Sequence, residues 1–505
     1  MLPGDIPHLH PGANPAIEGE DRAWTYGEVD DLSDRFVGLF AALGLAPGDR
    51  VSLVCSSEAL LAAAYFGCFR ARLVANPVNN RLLPEEVAYI LDHAGSRCVV
   101  VSEEYVDLVE RALPLVASRP RIVRAADVAG ATPSPAGGGA PTPEDGALLI
   151  YTSGTTGKPK GVILTQGNIM AGITYVSRAF EMKPGDRTFC VMPLFHTNGL
   201  MFSTLPFLLT GGTVIMRKRF SATRFWTQLR ESRASTTSVS PTMLAMLLEH
   251  EAKAPPASRI RLDYIKVASA PTPVELARRF EARFGQGLLL ETYGLTETTA
   301  INVMNPLHGP RKHGSIGRAL APQEVRIVDD AGNPVAQGET GEIEIRGATV
   351  MKEYFRDPEN TRKAIHGDWL RTGDVARMDA DGFVFIVGRS KEMILRGGEN
   401  ISPLEVEEVA ARHPAVREVA AVGVPDRIFG EVVGLCVVAR NPVSEEEVMA
   451  FCRAHLSPFK CPQRVVFVEE LPRNAVGKVT RNALRTAFPV STSSLPLGGA
   501  PGRGS

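Results

Sequence analysis

Glycines, hydroxyl side chains and lysines crowd into one stretch of this 505-residue chain, residues 147–161, which read ALLIYTSGTTGKPKG. An apolar run leads into a loop with hydroxyls at Thr152, Ser153, Thr155 and Thr156, glycines at Gly154, Gly157 and Gly161, and cations at Lys158 and Lys160. Glycines let a backbone approach a polyphosphate closely and present N–H groups to it. Hydroxyls add donors, and either lysine adds positive charge. The spacing differs from the common nucleotide loop: Gly154 and Gly157 are too close for G-x-x-x-x-G-K-[ST], and Pro159 stands where that pattern needs Ser or Thr. The competing reading is a flexible surface turn. A hydroxyl-rich loop straight after a buried strand, at the usual ligand edge of an α/β sheet, favours phosphate binding instead.

Other chemically capable clusters lie downstream: Pro193-Leu194-Phe195-His196-Thr197-Asn198-Gly199, Tyr293-Gly294-Leu295-Thr296-Glu297-Thr298, Arg371-Thr372-Gly373-Asp374, Gly388-Arg389-Ser390-Lys391 with Gly398-Glu399-Asn400-Ile401, and Asn474-Ala475-Val476-Gly477-Lys478. Singly, each has a plain alternative. Glu297 is equally a helix-start acid, Asp374 a turn residue after Gly373, and Lys478 a solvated loop charge. Together with TSGTTGKPKG, and in this order from about residue 24 to 487, they resemble the adenylate-forming superfamily of acyl-CoA synthetases, peptide-synthetase adenylation domains and luciferase-like enzymes.

The resemblance implies acid activation with ATP, Mg2+ and CoA. A carboxylate is a poor electrophile; its attack on the α-phosphorus of ATP expels pyrophosphate and installs AMP as a good leaving group for a thiol to displace. Such phosphoryl chemistry rests on positioning and charge stabilisation. By resemblance, the loop Thr152, Ser153, Gly154, Thr155, Thr156 and Gly157 holds the β- and γ-phosphates with Lys160. Glu297 binds the metal, as a hard oxygen donor suits a hard cation. Thr296 bonds the α-phosphate, and Tyr293 stacks on adenine beside Ser269, Ala270 and Pro271. Asp374 accepts the ribose hydroxyls, with Arg389 nearby. Lys478 lies between the substrate carboxylate and the α-phosphate. A small C-terminal domain turns at Lys391 between the half-reactions, with Gly397 and Gly398 beside the CoA channel.

For the acid, the resemblance places His196 at the pocket mouth, as a packing and gating group rather than a base. Thr197, Asn198, Gly199, Ser240, Thr242, Ser269, Thr299 and Ala300 form the wall. That set is small and polar, unlike the apolar tunnel a long chain needs. Residues 219–226 and 305–317 resemble the branch activating short acids, including dicarboxylates. Arg311 stands where malonate-activating members keep an arginine able to read a second carboxylate; a solvated basic turn with Lys312 and His313 is the equal alternative. Asn198 and Ala300 stand where oxalate-activating members carry histidine, which argues against oxalate.

The elements that must position these groups follow from the pattern. Apolar runs at 50–55, 98–102, 147–152, 188–192, 213–216 and 264–269 alternate with helical stretches such as 26–43 and 84–93. The expected fold is α/β: a large N-terminal domain of wound, mostly parallel sheets, a β-rich subdomain after about residue 316, and a small α+β C-terminal domain. The expected boundaries are 1–390 and 391–489, followed by a disordered Gly/Pro/Ser-rich tail at 490–505.

A formal net charge of −1 gives no general attraction to nucleic acid or anionic membranes. Seven scattered cysteines without a C-x-x-C pair read as reduced thiols of a cytoplasmic protein. The N-terminus shows no signal-peptide pattern. The uncharged stretch 197–216 is broken by Gly and Pro, which argues for buried helix and strand over a membrane span. Two alternatives stay open: transfer of the activated acyl group to a carrier protein in trans or another nucleophile, and a non-catalytic ATP- or acyl-binding relative.

Overall fold

The computed structural model describes residues 1–134, 139–152, 159–256, 260–397, 399–426, 428–473 and 479–488. Two compact units emerge, Met1–Val387 and Gly388–Ser505.

The larger unit contains two wound sheets. In one, strands Val74–Pro77, Arg50–Val54, Cys98–Val101 and Arg121–Arg124 run parallel in that order. Their outer neighbour Gly146–Thr152 pairs parallel to Val74–Pro77 and antiparallel to Lys160–Thr165. The two strands that flank the candidate phosphate loop thus pair with each other, with Thr152 opposite Lys160.

In the second sheet, Leu289–Tyr293, Tyr264–Val267, Thr236–Val239, Arg187–Cys190 and Thr213–Met216 are consecutive parallel neighbours. These strands are short, apolar for the most part and buried but for Arg187 and Tyr293 at two of their ends, as expected of a parallel sheet covered on both faces. Helix Gln166–Ala179 covers part of it and is started by a reciprocal cap: Thr165 Oγ1 accepts from Asn168 N, and Asn168 Oδ1 accepts from Thr165 N. The uncharged stretch folds as a π-helical turn Asn198–Phe202, a helix Leu205–Leu209 and the strand Thr213–Met216. An antiparallel sheet of Glu324–Val328, Thr340–Arg346 and Trp369–Met378 follows, the β-rich region expected after residue 316.

The smaller unit is an antiparallel sheet, Glu399–Ile401, Ile394–Arg396, Gly430–Ala439 and Val416–Asp426, with Arg464–Phe467 added in parallel. Helices Pro403–Ala410 and Glu445–His455 bury Val406, Val448 and Cys452 against it. Arg481 reaches Glu407 at 2.7 and 2.9 Å.

Among the described residues no helix is long and apolar enough to cross a membrane. All seven cysteines are buried free thiols. The residues of the expected tail lie outside the described region.

Candidate active site

Parallel strands deliver side chains to their C-terminal edge, where binding residues of open α/β sheets collect. Three polar groups are linked there. Ser238 Oγ donates to Asn198 Oδ1 at 2.7 Å, and Asn198 Nδ2 donates to Ser269 Oγ at 3.2 Å. Asn198 opens the π-helical turn, an irregularity that often marks functional positions. Gly199 is needed behind it, because a Cβ there would stand 2.2 Å from Pro193 O. Ser269, just past its strand, has φ +78° and leads into Ala270 and Pro271 at the surface.

On the neighbouring strand, Tyr293 Oη donates to Asp374 Oδ2 at 2.6 Å. Asp374 is buried and tightly framed. Its N–H donates to Thr372 Oγ1 at 3.1 Å, Gly373 N donates to Glu342 Oε1 at 2.8 Å, and Thr372 Oγ1 donates to Ile343 O at 2.9 Å. Gly373 itself has φ +72°, a conformation that glycine adopts without strain. The segment is built to hold one carboxylate in one place.

Beyond Gly294, which a Cβ would push to within 2.0 Å of Ala300 O, Thr296–Thr298 form a single 3-10 turn. Thr299 follows at φ 62°, ψ −47°, and Ala300 N donates to Thr298 O at 2.6 Å. This is a γ-turn of the strained, positive-φ hand, rare for a β-branched residue. A buried network holds it: Thr299 Oγ1 donates to Thr349 O at 2.6 Å, Thr349 Oγ1 to Gln323 Oε1 at 2.7 Å, and Gln323 Nε2 to Ile301 O at 3.0 Å. Helix Gln166–Ala179 presses on this turn. A Cβ on Gly172 would stand 3.1 Å from both Ala300 Cβ and Thr299 Cγ2, and 3.5 Å from Met201 Cε.

Glu297 is tied to the hairpin sheet. Tyr354 Oη donates to its Oε1 at 2.9 Å, and Met351 N donates to its backbone oxygen at 2.8 Å. Lys160 Nζ lies 4.8 Å from the centroid of the same tyrosine ring. Thr152 Oγ1 reaches Lys160 O at 3.5 Å. A half-exposed carboxylate with one oxygen steadied and Oε2 unbonded among the described residues suits a hard divalent cation that shares its shell with phosphate and water. No group of three or more His, Cys, Asp or Glu able to hold a metal by itself exists among the described residues.

Ser153, Gly154, Thr155, Thr156, Gly157, Gly398 and Lys478 lie outside the described residues. Arg389, Lys391 and Gly397 belong to the smaller unit; Gly397 has φ +60° and Lys391 is exposed. His196 is half-buried against Phe195, and burial pushes its imidazole down to about 4, so it is neutral at pH 7. Thr197 adjoins it at the start of the π-helical turn. Ser240 spends its hydroxyl as a helix cap, accepting from Met243 N at 3.3 Å.

Arg311 is not brought to this edge. Its guanidinium donates to Pro306 O at 3.0 Å, Leu307 O at 2.8 Å and Leu289 O at 3.3 Å, and also to Gly287 O. These carbonyls surround the beginning of strand Leu289–Tyr293. At about 3.3 Å per residue, Arg311 is roughly 13 Å from the strand end that carries Tyr293. It is neither the acid reader expected of it nor a solvated turn: it is a clasp on backbone carbonyls.

Three contributors were missed by the sequence reading. Tyr354 and Ser238 carry no signal beyond their residue type. Lys266 carries one: it is a lysine inside an apolar run, Tyr264–Val267, and it is fully buried.

The profile of the AMP-binding enzyme family matches residues 7–355, and that of the AMP-binding enzyme C-terminal domain matches 405–478. A sulfoacetate–CoA ligase of Cupriavidus necator is 40% identical over 476 residues, covering 91% of each chain. An oxalate–CoA ligase of Arabidopsis thaliana is 34% identical over 482 residues, covering 92% of this chain and 93% of that one. The ATP-bound structure of MatB from Rhodopseudomonas palustris superposes with a TM-score of 0.90 at 30% identity, covering 96% of this chain and 99% of that chain. The chain therefore belongs to the AMP-binding enzyme family, and it is an acid–thiol ligase that activates a carboxylic acid as an acyl-adenylate and passes the acyl group to CoA.

Proposed function

We propose that the acid is short and polar, and that the residues described above divide the adenylation chemistry among them. The observation that carries the first part is the close packing of helix Gln166–Ala179 on Thr299, Ala300 and Met201 around Gly172. A long alkyl chain would need the space that these atoms fill, whereas the Asn198, Ser238 and Ser269 hydrogen-bonded chain offers polar partners. The short acids in the names of two similar proteins, sulfoacetate and oxalate, support the same reading.

Tyr293 and Asp374 hold the nucleoside, the ring against adenine and the carboxylate accepting from the ribose hydroxyls. Thr296 donates to the α-phosphate, and Lys160 neutralises the outer phosphates with the loop 152–157. Mg2+ held at Glu297 supplies charge neutralisation to the triphosphate. The acid's carboxylate oxygen bonds to the α-phosphorus as the bond to pyrophosphate breaks; the CoA thiol then bonds to the acyl carbon as AMP leaves. Lys478 acts in the first step, where a cation between two approaching anions lowers their repulsion. His196, neutral, packs the pocket mouth.

The test is CoA-dependent AMP release across acetate, propionate, oxalate, malonate, sulfoacetate, a medium-chain fatty acid, benzoate and cinnamate. Turnover confined to the short acids is expected. Preference for the fatty or aromatic acids refutes the short-acid reading. Pyrophosphate release that ignores CoA would point to a carrier protein or another acceptor.

A further inference from the structure

Among the described residues the larger unit buries one lysine completely, and the adenylation chemistry above makes no use of it. Lys266 is in the middle of strand Tyr264–Val267, with no exposed surface. Its ammonium donates to Phe202 O at 2.6 Å and lies 5.3 and 5.1 Å from the ring centroids of Phe180 and Phe207. No carboxylate bridges to it among the described residues. A buried ammonium without a counter-charge is costly; burial here pushes it down to about 7. Methionine or leucine would fill the same volume without that cost.

The position of Lys266 suggests what the cation is for. Its Cα is in register with that of Ser238 on the adjacent strand, so in a parallel sheet the two side chains emerge on the same face. Ser238 holds Asn198, the first residue of the π-helical turn, and Lys266 holds Phe202 O, the last. The ammonium is thus bonded to the far end of the turn whose first residue belongs to the polar chain at the strand ends. Arg311, the other candidate cation, is committed to carbonyls at the opposite end of the neighbouring strand.

We propose that Lys266 is a specificity-determining residue, the floor cation that selects short acids carrying a second anionic group, a carboxylate or a sulfonate, over monoanionic acids of the same length. This rests on the short-acid reading. The carboxylate to be activated stays at the strand ends, and the distal anion enters toward Lys266. The ion pair completes an otherwise uncompensated buried charge.

Initial rates of CoA-dependent AMP release would be compared for the full chain and for Lys266→Met and Lys266→Arg, on matched acids: oxalate against acetate, and malonate and sulfoacetate against propionate. The wild type is expected to favour a dianion. Lys266→Met should lower kcat/KM for that dianion by about thirty-fold or more and leave or raise that for the monoanion, while Lys266→Arg keeps the dianion preference. Equal losses on both acids with a lowered melting temperature would make Lys266 merely structural and overturn the proposal. A wild type that uses short monoanions as well as dianions would overturn it while sparing the short-acid reading. A wild type that uses only fatty or aromatic acids would sink both.

Discussion

The phenol of Tyr354 donates a 2.9 Å hydrogen bond to Oε1 of Glu297, joining the hairpin sheet to the turn that follows strand Leu289–Tyr293. The bond fixes one carboxylate oxygen and orients the other. On the proposed metal role of Glu297, Tyr354→Phe should therefore weaken metal binding without unfolding the protein. A hydrogen bond to a charged group contributes about 1.5–3 kcal/mol, so the magnesium concentration for half-maximal ATP–pyrophosphate exchange should rise at least about ten-fold. An unchanged magnesium dependence with slower exchange at all concentrations would assign Tyr354 to packing alone.

Asp374 is held by its neighbours and by Tyr293 at 2.6 Å. Asp374→Asn keeps the shape but removes the charge and one acceptor, so on the proposed role of Asp374 two ribose hydroxyls can no longer both be received. KM for ATP should rise by one to two orders of magnitude, about 1.4 kcal/mol per decade, with little change in KM for the acid. A matching rise in the KM of the acid would show that Asp374 organises the whole site.

The parts of this protein that were legible in its sequence are those written in backbone requirements. Gly199 and Gly294 avoid backbone oxygens that a Cβ would strike, and Gly373 needs positive φ; such positions force recognisable spacing. The wound sheets were legible from their apolar runs. Arg311 was misread because spacing alone cannot tell which end of a strand a loop residue clasps. Tyr354 was invisible because it joins Glu297 from 57 positions away, through a two-residue strand, Glu353–Tyr354. Thr299 looked like an ordinary pocket threonine. Its γ-turn is imposed by Thr349 and Gln323, a network assembled only in three dimensions.

The clasp at Arg311 carries its own test. Arg311→Met takes this donor from the half-buried carbonyls of Pro306, Leu307 and Leu289, at up to about 1–3 kcal/mol, the upper range for fully buried groups. The melting temperature of the larger unit should fall, while the ratio of kcat/KM between dianionic and monoanionic short acids stays constant. A change in that ratio without loss of stability would restore Arg311 as an acid reader.

His196 should be silent in the pH profile of activity. Burial lowers its folded value to about 4 from an ordinary 6.5, so the imidazole stays neutral from pH 5 upward. Between about 4 and 6.5 the unfolded chain binds a proton that the folded chain does not, so His196 makes stability fall as pH drops through that window. The pH dependence of kcat/KM from 5.5 to 8 should be the same in wild type and His196→Asn. A limb near pH 6.5 present only in the wild type would identify His196 as a titrating catalytic group.

Lys266 predicts a dependence of the same sign at higher pH. Its folded value is about 7 against an ordinary 10.5, so between these values the unfolded chain holds a proton that the folded chain lacks. Wild-type stability should therefore rise with pH across this window, by up to about 1.4 kcal/mol per unit from this group. Below pH 7 the full penalty applies, on the order of several kcal/mol. Lys266→Met removes it and leaves Phe202 O without its donor, a cost of about 1–3 kcal/mol that does not vary with pH. Urea unfolding of the larger unit should show the variant gaining on the wild type at pH 6.5 and losing that advantage by pH 9.5. A stability difference that stays flat over this range would mean that Lys266 keeps its proton in the folded state. Below about pH 7, where the folded chain keeps this charge at a stability cost, the cation is available for substrate selection.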